Sequence, residues 1–296
     1  MKTLGSLIKR NVKMFFKDKG LFFTSLITPM ILLVLYATFL TGVYRDAFVQ
    51  TLPPTISSDI IEGLIGGEVL SSMLAVSCVT VAFCSNMLMV QDKVTGSLQD
   101  LSVSPLKKST LALSYYLSTF ISTMIVCLAA FAVCLVYVAI TGWYYTVGDV
   151  LLCLADVVLL VAFGTALSSL INFFLSSQGQ ISAVGSMVSS TYGFLCGAYM
   201  PISQFPVWMQ KVIAFFPGTH GTVLLRRHAL SGAIRQLSAD GVPDAVIELL
   251  KDSVDGNLYF FDMLVPEWTM YLVLIGFTVL TIAAYVLLHY WKHKKK

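Results

Sequence analysis

From Ser109 to Gly148 the chain carries no charged residue. A helix needs about 20 apolar residues to cross the hydrocarbon core of a bilayer, and a run of this length in water would have to be covered on every side. Comparable runs recur from Leu21 to Tyr44, Val69 to Gln91, Val150 to about Tyr199 with only Asp156 interrupting, and Trp268 to Leu288. The fourth is too long for one crossing, and "SSQGQ" at 176–180 is the polar, Gly-containing break that divides it. The expected fold is an all-α integral membrane protein with six transmembrane helices. Composition agrees, since 57% of the 296 residues are hydrophobic and 12% charged, with a mean hydropathy of +0.81. A soluble chain would need a larger charged surface, and a formal charge of +3 is too small to argue for nucleic acid.

The distribution of charge sets the expected orientation. Lys2, Lys9, Arg10, Lys13, Lys17, Lys19, Lys93, Lys107, Lys108, Lys292, Lys294, Lys295 and Lys296 fall on one side of a six-span arrangement, 13 of the 19 basic residues, with only Asp18, Asp92 and Asp100 among the acids. Basic loops stay cytoplasmic, so both termini are expected there, in a cell (plasma) membrane. The N-terminal basic stretch precedes an apolar run too long for a signal core and is expected to remain as an anchor. Residues 4–17 are amphipathic at helical spacing: Leu4, Leu7, Ile8, Val12, Phe15 and Phe16 lie opposite Lys9, Arg10, Lys13 and Lys17, as in a helix in the inner interface. The plain alternative is a positive-inside anchor.

Between the second and third runs stands "QDKVTGSLQDLSVSPLKKSTLAL". Val94, Leu98 and Leu101 recur at i, i+4 and i+7, which predicts a short amphipathic helix. Ser97 and Asp100 have the spacing of a helix-start pair. Ser104 can cap and Pro105 can open the next helix, which is expected from about Leu106 to Thr141-Gly142, ahead of the aromatic cluster Trp143, Tyr144 and Tyr145. Pro29 is placed to kink the first span. A surface loop is expected over 45–68, with Pro53-Pro54 and Gly66-Gly67. Residues 201–267 divide into an aromatic, Pro-broken part expected to dip back as short re-entrant helices and a polar, acidic outside cap from Ser231 to Glu267 with a helix over "PDAVIELLKDS". The six cysteines all lie in apolar runs and read as small buried hydrophobes.

Two motifs carry a resemblance to a known family. "GSLQDLSVSPL" at 96–106 is similar to a Gly-Thr-Leu-Glu-x-Leu-x-x-x-Pro-Leu pattern after span two, and "CGAYMPISQFPVWMQKVIAFFPGTHGTVLLRRHALSG" at 196–232 resembles a characteristic span-five exit. With the amphipathic N-terminus and six spans, the chain resembles the membrane-spanning (permease) subunits of ABC-2 type ATP-binding cassette transporters, mostly exporters. Gln99 stands where the family often has Glu, and Gly218-Thr219-His220 replaces the commoner Leu-Thr-Tyr.

The resemblance implies an amphipathic interfacial helix at 1–20, spans one to five at 21–200 with a cytoplasmic coupling loop at 91–108, re-entrant helices and an extracytoplasmic loop at 201–267, and span six with a basic tail at 268–296. It implies a coupling helix that seats on a separate ATPase, with Val94, Gly96, Ser97, Leu98, Gln99, Asp100, Leu101 and Pro105 as the coupling residues. The plain alternative is an ordinary loop helix packed on the bilayer. Two ATPase copies and a second permease half, identical or homologous, are implied partners beside membrane lipid. ATP and Mg would be bound by the ATPase, since the sequence has no GxxxxGK[ST] loop, and no cofactor is expected on this chain. Candidate substrate-path residues are Asp156, Gly197, Tyr199 and Pro201, for an amphipathic cargo such as a drug, peptide, lipid or lipid-linked glycan. Asp156 either meets substrate or reaches the interface near Asp149, and Glu68 and Asp149 are expected to be solvated at the interface. The competing classes are an intramembrane enzyme, for which Asp156 is at depth but no histidine joins it, and a channel, whose Ser, Thr and Gly residues read more simply as helix-packing positions.

Overall fold

The computed structural model describes residues 2–54, 56–103 and 107–292. They are helical except for turns and one two-residue hairpin, Tyr259–Phe260 against Met263–Leu264. The amphipathic stretch forms α1 (Lys2–Lys17), and Asp18 caps α2 (Lys19–Leu35) by accepting the Leu21 N–H. The rod stays helical through Pro29, which donates no N–H to the ladder, and widens at a π-turn, Tyr36–Leu40, before α3 (Thr41–Thr51). There Tyr36 donates to the Ala198 carbonyl and Thr41 donates back to the Tyr36 carbonyl, which ties the local widening to a neighbour.

The expected loop over 45–68 is a correction. Only a short turn around Pro53 separates α3 from α4 (Ser58–Ser85), which continues past Asn86 into α5 (Met87–Val94). Gly66 and Gly67 lie inside α4. Glycine lowers helix propensity by about 1 kcal/mol, but at Gly67 a β-carbon would stand 2.6 Å from the Ala229 carbonyl oxygen. The glycines read as loop formers instead permit a helix crossing.

Beyond the break come α6 (Ser97–Val103), α7 (Lys108–Thr141), α8 (Val147–Phe174), α9 (Gln178–Leu195), a short 3₁₀ turn at Ile202–Gln204, α10 (Val207–Phe215), α11 (Pro217–Ala239), α12 (Asp244–Ser253) and α13 (Glu267–Lys292). Ser177 and Gln180 form a capping box at the "SSQGQ" break, and Thr146 with Asp149 forms another at the start of α8. The described helices long and apolar enough to cross a membrane are Lys19–Thr51, Ser58–Val94, Ser109–Thr141, Val147–Phe174 and Glu267–Trp291. They are five of the six expected. The expected fifth span falls on α9, a helix of 18 residues that is not among them, its apolar character diluted by Ser182, Ser186, Ser189 and Ser190.

α4 is buried along nearly its whole length, between α2, α3, α7, α8, α9 and α11. The apolar side of α1 packs on α7 instead of facing away from the bundle, with Leu7, Asn11 and Phe15 buried. α11 departs further from expectation: in place of short dipping helices it is a 23-residue helix buried against α4, α8 and α13. The six cysteines are buried free thiols.

Close crossings make a prediction. Gly67→Ala and Gly164→Ala, the latter placing a β-carbon 2.9 Å from the Cys78 carbonyl oxygen, should each destabilise by about 1–3 kcal/mol, read as a lower midpoint for heat-induced loss of the monodisperse protein in detergent. Gly276→Ala, with nothing within 4 Å of the added carbon, should leave the midpoint unchanged or slightly raised. Equal midpoints for all three variants would contradict the crossings.

Candidate functional site

The expected short helix after the second long run is present but begins later than its apolar spacing suggested. α5 ends at Val94, and Gly96 takes a left-handed φ of 83°, which breaks the rod and lets its carbonyl accept the Gln99 and Asp100 N–H groups that open α6. Val94 therefore does not share a face with Leu98 and Leu101. It is 52% exposed, while the two leucines pack on the chain's own cluster around Met89, Val90, Leu111 and Tyr115. The outward edge of the segment carries Val94, Gln99 and Asp100, and Ser97 lies half-buried with its hydroxyl 3.1 Å from that of Thr95. Pro105 lies outside the described residues.

Three neighbouring polar side chains tie this segment to the bundle, and sequence reasoning missed all of them. Asp92 is buried and accepts Arg10 on both oxygens, at 2.8 and 3.2 Å, and the Tyr115 hydroxyl at 2.6 Å. Lys93 donates to the carbonyls of Asn172, Phe173 and Leu175 at 2.8–3.0 Å. These lie at the C-terminal end of α8, where carbonyls lack helical partners and the helix dipole favours a cation. Asn86, at the α4–α5 break, donates to Ser168 and Ser169 of α8 and accepts from Thr119 of α7. The available signal was the adjacent Asp-Lys pair at a span end, which the sequence reading counted only toward orientation.

At the other end of the bundle α11 supplies partners for acids on the spans. Arg226 is wholly buried. Its Nε donates to Glu68 at 2.8 Å, one terminal nitrogen donates to Ser72 and the Gly197 carbonyl, and the other lies 3.6 Å from Asp255. Glu68, expected in solvent, is 1% exposed. Burial pushes the Asp255 carboxyl up to about 6 against the opposing pull of Arg226.

Asp156 and Asp149 stand one heptad apart on α8, and His228 and Arg235 one heptad apart on α11. Running antiparallel, the helices pair Asp156 with His228 at 2.5 Å and Asp149 with Arg235 at 2.5 Å, with Ser231 also donating to Asp149. Asp149, too, is buried at 4% exposure, where solvation was expected. A histidine does join Asp156, contrary to the reading of the sequence, and Tyr271 donates to its other oxygen at 3.0 Å. The second ring nitrogen of His228 lies 3.3 Å from Glu267. With both nitrogens on carboxylates, the imidazole presents no free base to a nucleophile.

The four substrate-path candidates are not brought together. Tyr199 lines a cleft of about 540 Å³ between α2 and α9, with Thr24, Thr28, Ser186 and Ser190 on its walls. Gly197, at φ 70°, turns the chain and offers its carbonyl to Arg226, Pro201 precedes the 3₁₀ turn, and Asp156 belongs to the α8–α11 pairing.

A family model described as ABC-2 type transporter matches residues 2–228. The chain belongs to the ABC-2 type transporter membrane family. It is thus a multi-pass membrane protein and the transmembrane component of such a transporter; in this family ATP is bound by an ATPase distinct from the membrane domain. A comparison with curated proteins finds no match. The matched range takes in α1, the α5–α6 segment and the buried Arg226, and it ends at His228.

The ABC-2 bundle should be sensitive to its buried guanidinium. Arg226→Met leaves Glu68 and Asp255 without a cation and should cost about 3–5 kcal/mol, seen as a large fall in the thermal midpoint in detergent. Adding Glu68→Gln should restore part of the loss. No recovery in the double variant would mean that the two side chains act independently.

Proposed function

We propose that this chain is the membrane-spanning half of an ATP-driven exporter that moves an amphipathic substrate outward, with two such halves and two ATPase subunits in the working assembly. The observation that carries this reading is the α5–α6 unit, a short helix outside the long rods whose root is held by α1, α7 and α8 through Asp92, Lys93 and Asn86. A push on α6 reaches three helices through charge-assisted bonds instead of dissipating in a loop. Because Leu98 and Leu101 face the bundle, the ATPase is met by the outward edge at Val94, Gln99 and Asp100, with Gly96 setting its angle and Ser97 opening the helix.

The same reading places α9 as the fifth crossing, both termini in the cytoplasm of a cell membrane, α1 at the inner interface, and residues 201–267 at the outer face, with α10 and α11 re-entering from it. The basic-residue asymmetry supports that orientation. Substrate passes the hydroxyl- and aliphatic-lined cleft between α2 and α9 at Tyr199, a mixed surface suited to a drug, peptide, lipid or lipid-linked glycan. Gly197 and Pro201 turn the chain on either side of Tyr199, while Asp156 stands off the route in the α8–α11 pairing.

Co-purification with the ATPase from native membranes tests the coupling. Val94→Asp combined with Asp100→Arg should reduce recovered ATPase by about tenfold or more while the membrane chain purifies at normal yield. Leu98→Asp should instead lower the yield of the membrane chain, since its side chain packs inside. Undiminished ATPase recovery in the first variant would remove the coupling assignment.

Orientation has its own measurement. All six native thiols are buried, so Gln99→Cys and Ser253→Cys can be introduced without removing them. An impermeant thiol reagent should reach position 253 in intact cells and position 99 only after the membrane is opened. Labelling of both from one side would contradict the topology.

A further inference from the structure

A cavity of about 490 Å³ lies between α11, α12 and the start of α13. Its polar wall holds three cations and two anions: Arg227, Arg235, Lys251, Glu248 and Glu267, with His228 beside them. Most of these charges already have partners. Asp149 takes Arg235, Glu248 takes Lys251 at 2.7 Å, and His228 pairs with Asp156. Arg227 and Glu267, one charge of each sign, are paired less directly.

Arg227 is the cation without a direct ion pair, although the carboxylates of Glu267 and Glu248 act on its charge from across the cavity. Its guanidinium is aimed by the Gly256 carbonyl at 2.5 Å and the Asn257 side-chain oxygen at 3.1 Å, and among the described residues no carboxylate stands within ion-pair distance of it. Neutral acceptors hold the group without cancelling its charge, and a half-buried guanidinium so placed suits a tetrahedral oxyanion. Glu267 is half-exposed at the mouth of α13, and its closest cationic contact is the far nitrogen of His228 at 3.3 Å. The site therefore matches a zwitterion, not a simple anion.

Two further features narrow the ligand. No aromatic side chain lines the cavity among the described residues, so it lacks the faces that favour a quaternary ammonium, and a primary ammonium able to donate hydrogen bonds to Glu267 fits better. The remaining wall is apolar, from Leu230, Ile234 and Leu264. Leu264 is 51% exposed, and Trp268 and Leu272, at i and i+4 on α13, are 64% and 60% exposed. These side chains give acyl chains a path away from the charged end, and exposed tryptophan is typical of the membrane interface.

We infer that this cavity binds the headgroup of a phosphoethanolamine lipid, with Arg227 on the phosphate, Glu267 on the ammonium and the acyl chains along Leu264 and Trp268. The test is native mass spectrometry of the purified chain released from nanodiscs of equal parts phosphatidylethanolamine, phosphatidylcholine and phosphatidylglycerol. Wild-type protein should retain phosphatidylethanolamine in preference to both others. Glu267→Gln and Arg227→Gln should each cut that preference by about tenfold, the scale of one charge-assisted contact, in samples that remain monodisperse. Soluble phosphoethanolamine at millimolar concentration should fail to displace the lipid. Equal retention of the three lipids by the wild type, or undiminished preference in Glu267→Gln, overturns the site. Displacement by the soluble headgroup overturns its assignment to a lipid.

Discussion

A helix covered on every side cannot shift against one neighbour without disturbing the rest, and α4 is in that position. Its small residues are what make the arrangement possible. At Gly67 the backbone of α11 comes so near that a β-carbon would lie 2.6 Å from a carbonyl oxygen, and at Gly164 α8 approaches α4 in the same way. In a bilayer the lipid tails are as apolar as leucine, so burial of aliphatic surface alone does little to hold helices together, and close backbone approach with interhelical hydrogen bonds takes its place. α4 has both, since Ser72 meets Arg226 and the helix continues to Asn86, whose amide spans α7 and α8.

The charges around α11 follow from the same constraint. A helix carrying Arg226, Arg227, His228 and Arg235 has no place among apolar rods unless each cation meets an acceptor. α4 supplies Glu68, α8 supplies Asp149 and Asp156, and the loop before the hairpin supplies Asp255. The heptad spacing on both α8 and α11 fixes one antiparallel register, because a slip by one turn would leave two acids and two bases unpaired together. Buried pairs of this kind contribute less to net stability than to the choice of a single arrangement.

The long charge-free runs told where several rods lie, because for α7 and α13 the absence of charge and the presence of helix coincide within a few residues. The failures have one cause. Glu68 and Gly66-Gly67 were read as the edge of a loop, and the Arg-Arg-His triplet as the end of a stretch of short re-entrant helices, since a single chain read in order gives a charge no partner and a glycine no neighbour. The partner of Glu68 stands 158 positions away. The paired seven-residue spacings of Asp149 with Asp156 and His228 with Arg235 were in plain view, but only a fold that sets those helices side by side gives them meaning. In the coupling segment the periodicity of Val94, Leu98 and Leu101 was real, and Gly96 interrupts it with a backbone conformation that periodicity does not register.

The two ends of the bundle are held together by different kinds of contact. At the end bearing α6, the contacts of Asp92, Lys93 and Asn86 are made by side chains on a broken helix, joining α5 to α1, α7 and α8. At the far end the contacts are charge pairs between uninterrupted helices, with Arg226 at their centre and almost no solvent reaching it. On the proposed reading, an ATPase moving α6 pulls on the first set, and the second set resists separation because parting a buried pair exposes an uncompensated charge. Rods held firmly at one end and pushed at the other tilt about the held end instead of drifting apart. α2 and α9 lie outside both sets, joined to the held end by the Tyr36 contact with Ala198 and by the turn at Gly197. The cleft between them is therefore where tilting of the inner rods would change the opening most.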